Sequence, residues 1–429
     1  MTARTGPTRP SPRKDPVRSR STSLALLGAL TLGLAACTGA PTADTSAETA
    51  TDPPSTGDGH GAIAGAEEVA EPPLGLTAID PAGTVTHLDL LDETVTEIGA
   101  IDAPRAMTTD GRYLFADVGD GIEIVDSGVW TWDHVDHFHY YRASPALLGT
   151  VDGDGSATVA TTNSSTSGGT GISFTDSGDA VLLSTEALSK GEIREQFRLE
   201  REPHAGLVVP VGSFALVTEA VDGVGARVAG YTADGEPTGL DETCAAPSGT
   251  ITTRVGAVIG CADGALLAHV DDGELVVERI PYPADAPTGA VTSFDNREGR
   301  PTVAGLASPT DIRLLDTRAR TWTLLTAPAP LVHVTAVDDE DGHLLGLAED
   351  GRMLVLSAAD GSLLAETAPL VAASLASGAA PVLVADQHRA YLSAPVERQL
   401  YEIDYADAAR IARTFETATE PAFVAETGR

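Results

Sequence analysis

The chain has 429 residues, of which 27 are Lys or Arg and 62 are Asp or Glu, so its formal net charge at pH 7 is −35. This charge excludes a nucleic-acid binder that relies on phosphate neutralisation, and it argues against a protein held to membranes by basic patches. Hydrophobic residues make up 42% of the chain, enough to form a folded core. The length fits two or three average domains, or one large repeat domain.

The N-terminus has the features of an export signal. Basic residues up to Arg20 precede an apolar run over Leu24–Ala36, which is too short to cross a bilayer comfortably but has the length of a signal-peptide core. The run ends in the sequence LAAC at Cys37, which resembles the lipobox of bacterial lipoproteins. We therefore predict a lipoprotein signal peptide over 1–36, lipidation of Cys37 and a location on the outer face of the cell membrane. The alternative is a cleaved secretory signal followed by an incidental cysteine.

Residues 37–73 are dominated by Thr, Ala, Ser, Pro, Gly and acidic residues, with few large apolar side chains. Such a composition cannot bury a core, and it predicts a flexible linker. The folded domain is therefore expected over 74–429.

The pattern from residue 74 onward is that of short β-strands joined by tight turns. Apolar and polar residues alternate with period two, for example over 121–126 and 351–357, which is typical of half-buried strands. Asp-Gly pairs recur, among them Asp222-Gly223 and Asp272-Gly273, and this dipeptide favours two-residue hairpin turns.

These strands recur in units of roughly 40–50 residues, the length of a four-stranded propeller blade. We predict an all-β fold with a single β-propeller of seven blades, or eight, closed by the N- and C-terminal strands. The competing fold is a pair of β-sandwich domains, which is disfavoured because no composition break divides residues 74–429.

Two further cysteines, Cys244 and Cys261, follow the lipobox cysteine. In an oxidising compartment the default is a disulfide between them. A dithiol metal site is the alternative, but the two residues lack close C-x-x-C spacing.

The densest cluster of candidate ligands is a histidine-rich stretch over 130–141, which contains His134, His137 and His139. On an extended strand, residues two apart point the same way, so His137 and His139 should face one point while Phe138 packs inward. Paired imidazoles suit Zn²⁺. Two carboxylates in the same stretch, Asp133 and Asp136, could each bind the metal or hold a ligating imidazole by its second nitrogen.

The position of this stretch relative to the blades adds His204 to the candidates. We interpret residues 141–151 as the inner strand of a blade, preceded by the histidine-rich stretch. His204 likewise precedes an apolar strand over 207–210. Loops that enter inner strands converge on one face of a propeller, so His204 is expected to join His137 and His139. Without a metal, the stretch would be a polar aromatic loop at the channel mouth.

Five segments along the folded region resemble the AztD-type zinc metallochaperones: Val129–Arg142, Glu202–Gly206, Gly260–Gly264, His388–Ser393 and Glu402–Asp404. Members of that family are exported β-propellers that bind zinc and hand it to the solute-binding protein of a zinc ABC transporter. The resemblance implies the same role here, with His137, His139 and His204 as ligands of Zn²⁺.

The sequence thus predicts a lipid-anchored, monomeric zinc carrier that is not an enzyme and does not bind nucleic acid. Asp136, Asp133 and His134 complete the set of candidate ligands. Two other functions stay open: a metal-free interaction scaffold, and a metal-dependent hydrolase or lactonase with Asp133 or Asp136 as its general base.

Overall fold

The computed structural model describes residues 62–133, 137–287 and 289–429. The signal peptide, Cys37, His134 and Asp136 lie outside these residues. Within them, the strands form nine sheets, of which eight are successive blades and the ninth is a three-stranded sheet built on an inserted hairpin. The β-propeller prediction is confirmed, and the number of blades is eight, the alternative to the seven that we favoured.

The strands of the first two blades and of the inserted sheet, in chain order, are β1 (Glu67–Val69), β2 (Gly75–Ile79), β3 (Thr84–Asp89), β4 (Val95–Ala100), β5 (Ala106–Thr109), β6 (Tyr113–Asp117), β7 (Gly121–Asp126), β8 (Val129–Asp133), β9 (Phe138–Arg142) and β10 (Ala146–Asp152). The third to fifth blades contain β11 (Ala157–Ala160), β12 (Gly169–Phe174), β13 (Asp179–Ser184), β14 (Glu195–Glu200), β15 (Val208–Val211), β16 (Phe214–Val221), β17 (Val224–Thr232), β18 (Pro237–Thr243), β19 (Ser248–Thr252), β20 (Ala257–Cys261), β21 (Gly264–Asp271) and β22 (Glu274–Pro281).

The sixth to eighth blades and the closing strand are formed by β23 (Thr302–Ser308), β24 (Asp311–Asp316), β25 (Thr321–Thr326), β26 (Leu331–Ala336), β27 (His343–Ala348), β28 (Met353–Ser357), β29 (Leu363–Glu366), β30 (Leu383–Ala385), β31 (Ala390–Ala394), β32 (Gln399–Asp404), β33 (Arg410–Glu416) and β34 (Phe423–Thr427). Two short helices, α1 (Thr185–Leu188) and α2 (Ala372–Ser377), lie between strands. In the described part of the chain, no helix is long and apolar enough to span a membrane.

The ring closes through the first blade, in which strand order is β34-β2-β3-β4. The C-terminal strand β34 is the inner strand of this blade and pairs antiparallel with β2, with Ile79 opposite Phe423. This closure by the two ends of the chain was predicted, and it leaves the ring without an open edge.

Burial follows the position of a strand within its blade. The second strands, such as β6 and β31, are buried along their whole length because the neighbouring blades cover both of their faces. Outer strands such as β4 and β29 are largely exposed.

Two of the predicted Asp-Gly turns join neighbouring strands as expected. Val221 pairs with Val224 across Asp222-Gly223, and Asp272-Gly273 connects β21 to β22 in the same way. Asp222 and Asp272 have φ values of 54° and 49°, and the glycines that follow also have positive φ, as a tight hairpin turn of this kind requires.

The count is eight rather than seven because β2, β3 and β4 form a blade of their own with β34, while β30–β33 already complete the blade before it. The second blade also differs from the sequence interpretation. Its order is β10-β7-β6-β5, so β10 is the outer strand and does not start a new blade. The interpretation of residues 141–151 as an inner strand was therefore wrong. The hairpin β8–β9 is inserted between the third and outer strands, so β10 follows a long interruption and has the appearance of a new repeat.

The sixth blade is reduced at its inner position. Its sheet contains only β23, β24 and β25, and the inner place is held by an antiparallel bridge between Asp295 and Ala304.

The predicted disulfide between Cys244 and Cys261 is present, with a Cα–Cα distance of 5.2 Å. Both cysteines are fully buried, and the bond joins the end of the fourth blade to the fifth. The disulfide fits a protein outside the cytoplasm.

Residues 67–69, which the sequence interpretation placed in the flexible linker, form strand β1. This strand pairs antiparallel with β9, with Val69 opposite Tyr140. The N-terminal segment therefore adds a third strand to the inserted sheet, whose order is β1-β9-β8.

Candidate metal centre

The inserted hairpin lies on the face of the propeller at which the inner strands end. Thr109, Ala160 and Thr252, which end the inner strands β5, β11 and β19, line one channel cavity together with Arg429. We call this side the C-terminal face. Strand β7 runs parallel to β5, since both are antiparallel to β6, so the hairpin that follows β7 starts at the same face.

Contacts between the hairpin and the ring confirm this position. Thr131 Oγ1 donates a hydrogen bond of 2.8 Å to the carbonyl oxygen of Gly428, next to the C-terminal residue of the closing strand. Thr131 and Phe138 also line a cavity of about 480 Å³ with Arg254 and Arg429. The hairpin therefore borders the mouth of the channel.

The base of the hairpin is anchored by a buried arginine. Arg112 forms two parallel hydrogen bonds with the Asp126 carboxylate, from Nε at 2.9 Å and from Nη2 at 2.7 Å. The Trp130 ring lies over this guanidinium at 3.9 Å and stacks on Tyr141 at 5.3 Å. Burial lowers the pKa of Arg112, but the hydrogen bonds and charge of Asp126 more than offset this effect, so the pKa lies above its usual value. Arg112 therefore stays charged and holds the hairpin against the second blade.

The structure brings His137 and His139 together. Their Nε2 atoms are 2.9 Å apart, and the ring centroids are 4.7 Å apart. Two nitrogen ligands at about 2.0–2.1 Å from a tetrahedral Zn²⁺ lie roughly 3.3 Å from each other, so only a small adjustment is needed to direct both atoms at one ion.

A carboxylate from outside the hairpin contacts this pair. Glu68 on β1 places Oε1 2.8 Å from Nδ1 of His139. Sequence reasoning missed Glu68 because it lies in the segment interpreted as a linker. Residues 66–71, AEEVAE, show no regular alternation that would mark a strand.

Strand alternation separates Asp133 from the pair. Trp132 is opposite His139 in the register, whereas Asp133 is opposite Phe138. Asp133 and Phe138 both line the cavity at the channel mouth. Phe138 is 55% exposed, so the expectation that it packs inward was wrong.

His204 is not brought to the pair. It precedes β15, and the start of an inner strand lies at the face opposite the C-terminal face. The imidazole is 8% exposed, its Nδ1 is 2.7 Å from the carbonyl oxygen of Glu202, and its Nε2 is 2.9 Å from Oγ1 of Thr218. Both ring nitrogens are thus engaged in hydrogen bonds within the protein. The expected convergence failed because the histidine-rich stretch leads into an outer strand, whereas His204 leads into an inner one.

Within residues 62–133, 137–287 and 289–429, no group of three or more His, Cys, Asp or Glu side chains is arranged to hold a metal ion. The described part of the candidate site is therefore a pair of histidines supported by one carboxylate. Two predicted ligands, His134 and Asp136, lie outside the described residues.

Comparison with solved structures identifies the type of propeller. The structure of apo AztD from Citrobacter koseri superposes with a TM-score of 0.70 at 19% sequence identity, covering 83% of this chain and 99% of that one. A second structure of AztD from the same organism has the same TM-score at 20% identity and is covered to 97%.

The dihydro-heme d1 dehydrogenase NirN also resembles the chain, with a TM-score of 0.51 at 14% identity, covering 84% of this chain and 76% of that one. No family model matches the sequence. The chain therefore has an AztD-type propeller fold.

Proposed function

We propose that this chain is an extracytoplasmic zinc-binding protein that delivers Zn²⁺ to the solute-binding protein of a zinc ABC transporter. A lipid on Cys37 would hold it at the outer face of the cell membrane. The observation that carries the proposal is the approach of the His137 and His139 Nε2 atoms to 2.9 Å on a hairpin at the channel mouth. The resemblance of the sequence and of the fold to AztD supports it.

The proposed ligands are His137 and His139, with a third from His134 or Asp136, which precede His137 in the sequence. Asp133 is left out of this set because its position in the register puts it on the other face of the hairpin. His204 is left out because it precedes an inner strand, at the opposite face of the propeller. Delivery requires that a partner can replace the ligands one at a time, and His137 is exposed at the end of the hairpin. A site of this kind suits transfer better than the closed four-ligand shell of a structural zinc site.

The proposed role breaks no covalent bond, so the protein is not proposed to be an enzyme. The net charge of −35 attracts divalent cations to the molecule as a whole and favours a partner with a complementary surface.

Zinc binding by the chain from residue 38 onward tests the proposal. We expect about one equivalent of Zn²⁺ to resist a competing chelator in the wild type and to be lost in His137→Ala/His139→Ala. The matched control is His269→Ala/His388→Ala, which removes two histidines outside the hairpin and should bind as the wild type does. His204→Ala should also keep the equivalent.

Transfer is then measured by mixing the zinc-loaded chain with the metal-free solute-binding protein in the presence of excess chelator. Direct delivery moves zinc to the partner although the chelator captures any ion released to solution. Weak binding of many equivalents that the double variant does not change would replace the proposal with a metal-free scaffold. Zinc-dependent hydrolysis of esters or lactones would replace it with an enzyme.

A further inference from the structure

Strand β1 brings one side chain to the histidine pair. In the register of β1 with β9, Glu68 is opposite Tyr141, and His139 is two residues away along the same face of β9. Side chains at such diagonal positions are within reach of each other in an antiparallel pair. The contact between Glu68 Oε1 and His139 Nδ1, at 2.8 Å, is therefore a consequence of the strand pairing.

This contact determines which ring nitrogen of a neutral His139 carries the hydrogen. A neutral histidine carries one ring hydrogen, and the carboxylate accepts it at Nδ1. The lone pair of His139 then lies at Nε2, the atom that faces His137. In the metal-free protein the Nε2–H of His137 donates to that lone pair. Binding of an ion by both Nε2 atoms would require His137 to carry its ring hydrogen on Nδ1 instead, through exchange of that hydrogen with solvent.

The contact adds little to the stability of the fold. The Glu68 side chain is 53% exposed, and ion pairs at such positions contribute about 1 kcal/mol or less. β1 has only three residues, of which Glu67 and Glu68 are exposed, and among the described strands it pairs only with β9. A role in orienting His139 accounts for the contact better than a role in folding.

We infer that Glu68 is a positioning residue for the zinc site, and that the docking of β1 on β9 therefore controls how tightly the site holds zinc. This inference rests on the proposed function. Carboxylates that hold the second nitrogen of a ligating histidine fix its orientation and raise its basicity, and their loss costs about 10–100-fold in metal affinity. Because Glu68 leaves the site whenever β1 leaves β9, undocking of β1 would promote zinc release.

Glu68→Leu tests the positioning role, and Glu67→Leu is the matched control. Glu67 lies on the same strand but is opposite Arg142, on the other face of the sheet. We expect the zinc dissociation constant to rise about 10–100-fold in Glu68→Leu, to recover in part in Glu68→Asp, and to stay within about twofold of wild type in Glu67→Leu.

A second readout needs no zinc. The ¹⁵N chemical shifts of the His139 ring in the metal-free protein report which nitrogen carries the hydrogen, and we expect Nδ1–H in the wild type and a shift toward Nε2–H in Glu68→Leu. If Glu68→Leu changes neither these shifts nor the affinity while His137→Ala/His139→Ala abolishes binding, the inference is wrong and the proposed function stands. If the wild type holds no zinc, the proposed function fails, and the ring shifts still decide whether Glu68 holds His139.

A cross-link tests the role of β1 itself. Val69 and Tyr140 are directly opposite in the register, so Val69→Cys/Tyr140→Cys places two cysteines at a distance that a disulfide can bridge. With β1 locked on β9, zinc should dissociate more slowly than from Val69→Ser/Tyr140→Ser, a form that lacks the cross-link and adds no thiol that could bind Zn²⁺. Equal rates in the two forms would show that β1 does not control release.

Discussion

The Arg112–Asp126 pair offers the sharpest test of how the hairpin is held. Replacing Arg112 with Met keeps a long apolar side chain under Trp130 but leaves the Asp126 carboxylate buried without its cation. The exposed fractions of the two side chains are 1% and 10%. Removing one partner of a pair this deep costs about 3–5 kcal/mol of unfolding free energy, because the remaining charge stays desolvated.

A surface pair with the same geometry provides the control. Arg320 binds Glu278 through Nε at 3.2 Å and Nη2 at 2.7 Å, but both side chains are 37% exposed. Arg320→Met should therefore cost about 1 kcal/mol or less. Because both pairs have two hydrogen bonds, the difference between the two variants measures the effect of burial on stability.

Thermal unfolding followed by circular dichroism measures the difference. A cooperative domain of this size has an unfolding entropy of roughly 0.8 kcal/mol per kelvin, so Arg112→Met should lower Tm by about 4–6 °C and Arg320→Met by about 1 °C. Near-ultraviolet signals from Trp130 and Tyr141 should change in Arg112→Met alone. Equal Tm shifts in the two variants would refute the claim that the buried pair anchors the hairpin.

Two further predictions concern the ring. The Cys244–Cys261 disulfide closes a sequence separation of 17, so Cys244→Ser/Cys261→Ser should lose about 3 kcal/mol in denaturant unfolding; an unchanged midpoint would contradict this. Burial raises the pKa of Glu426 from 4.5 to about 7, despite Nη1 of Arg429 lying 2.9 Å from its Oε2. The folded state therefore keeps this proton to a higher pH than the unfolded chain, and the resulting stability, complete below about pH 4.5, is lost as the pH rises through 7. In Glu426→Gln, which mimics the protonated form, the free energy of unfolding relative to that of the wild type should rise by about 1 kcal/mol or more between pH 5 and pH 8. A difference that does not change with pH would exclude this titration.

The sequence predicted the structural features that depend on residues close together in the chain. Alternation and Asp-Gly turns predicted the strands, their hairpins and the propeller, because a two-residue turn such as Asp272-Gly273 is set by the φ preferences of its own residues. The assignment of strands to blades was harder, because a strand's place in a blade depends on which strands it pairs with. The sequence of β10, ALLGTVD, does not show whether the strand is inner or outer, and its pairing with β7 shows that it is outer.

In the candidate site, too, local contacts could be predicted from the sequence and long-range contacts could not. His137 and His139 could be paired from the sequence because residues two apart on a strand share a face. Glu68 could not, since its contact with His139 spans 71 positions and depends on the docking of β1. His204 was misplaced for a related reason: the face on which a loop lies follows from the position of the next strand in its blade.

The inserted hairpin separates the demands of binding from those of folding. β8 and β9 pair with each other and with β1, and with no strand of the eight blades, so a change at the histidines breaks no hydrogen bond of the ring sheets. At its base, Trp130 is fully buried over Arg112, whereas His137 at the other end is exposed. A ligand pair with a fixed base and an accessible end can change coordination without a cost in propeller stability. The proposed exchange of metal with a partner would benefit from this property, which a pair set within the blades would lack.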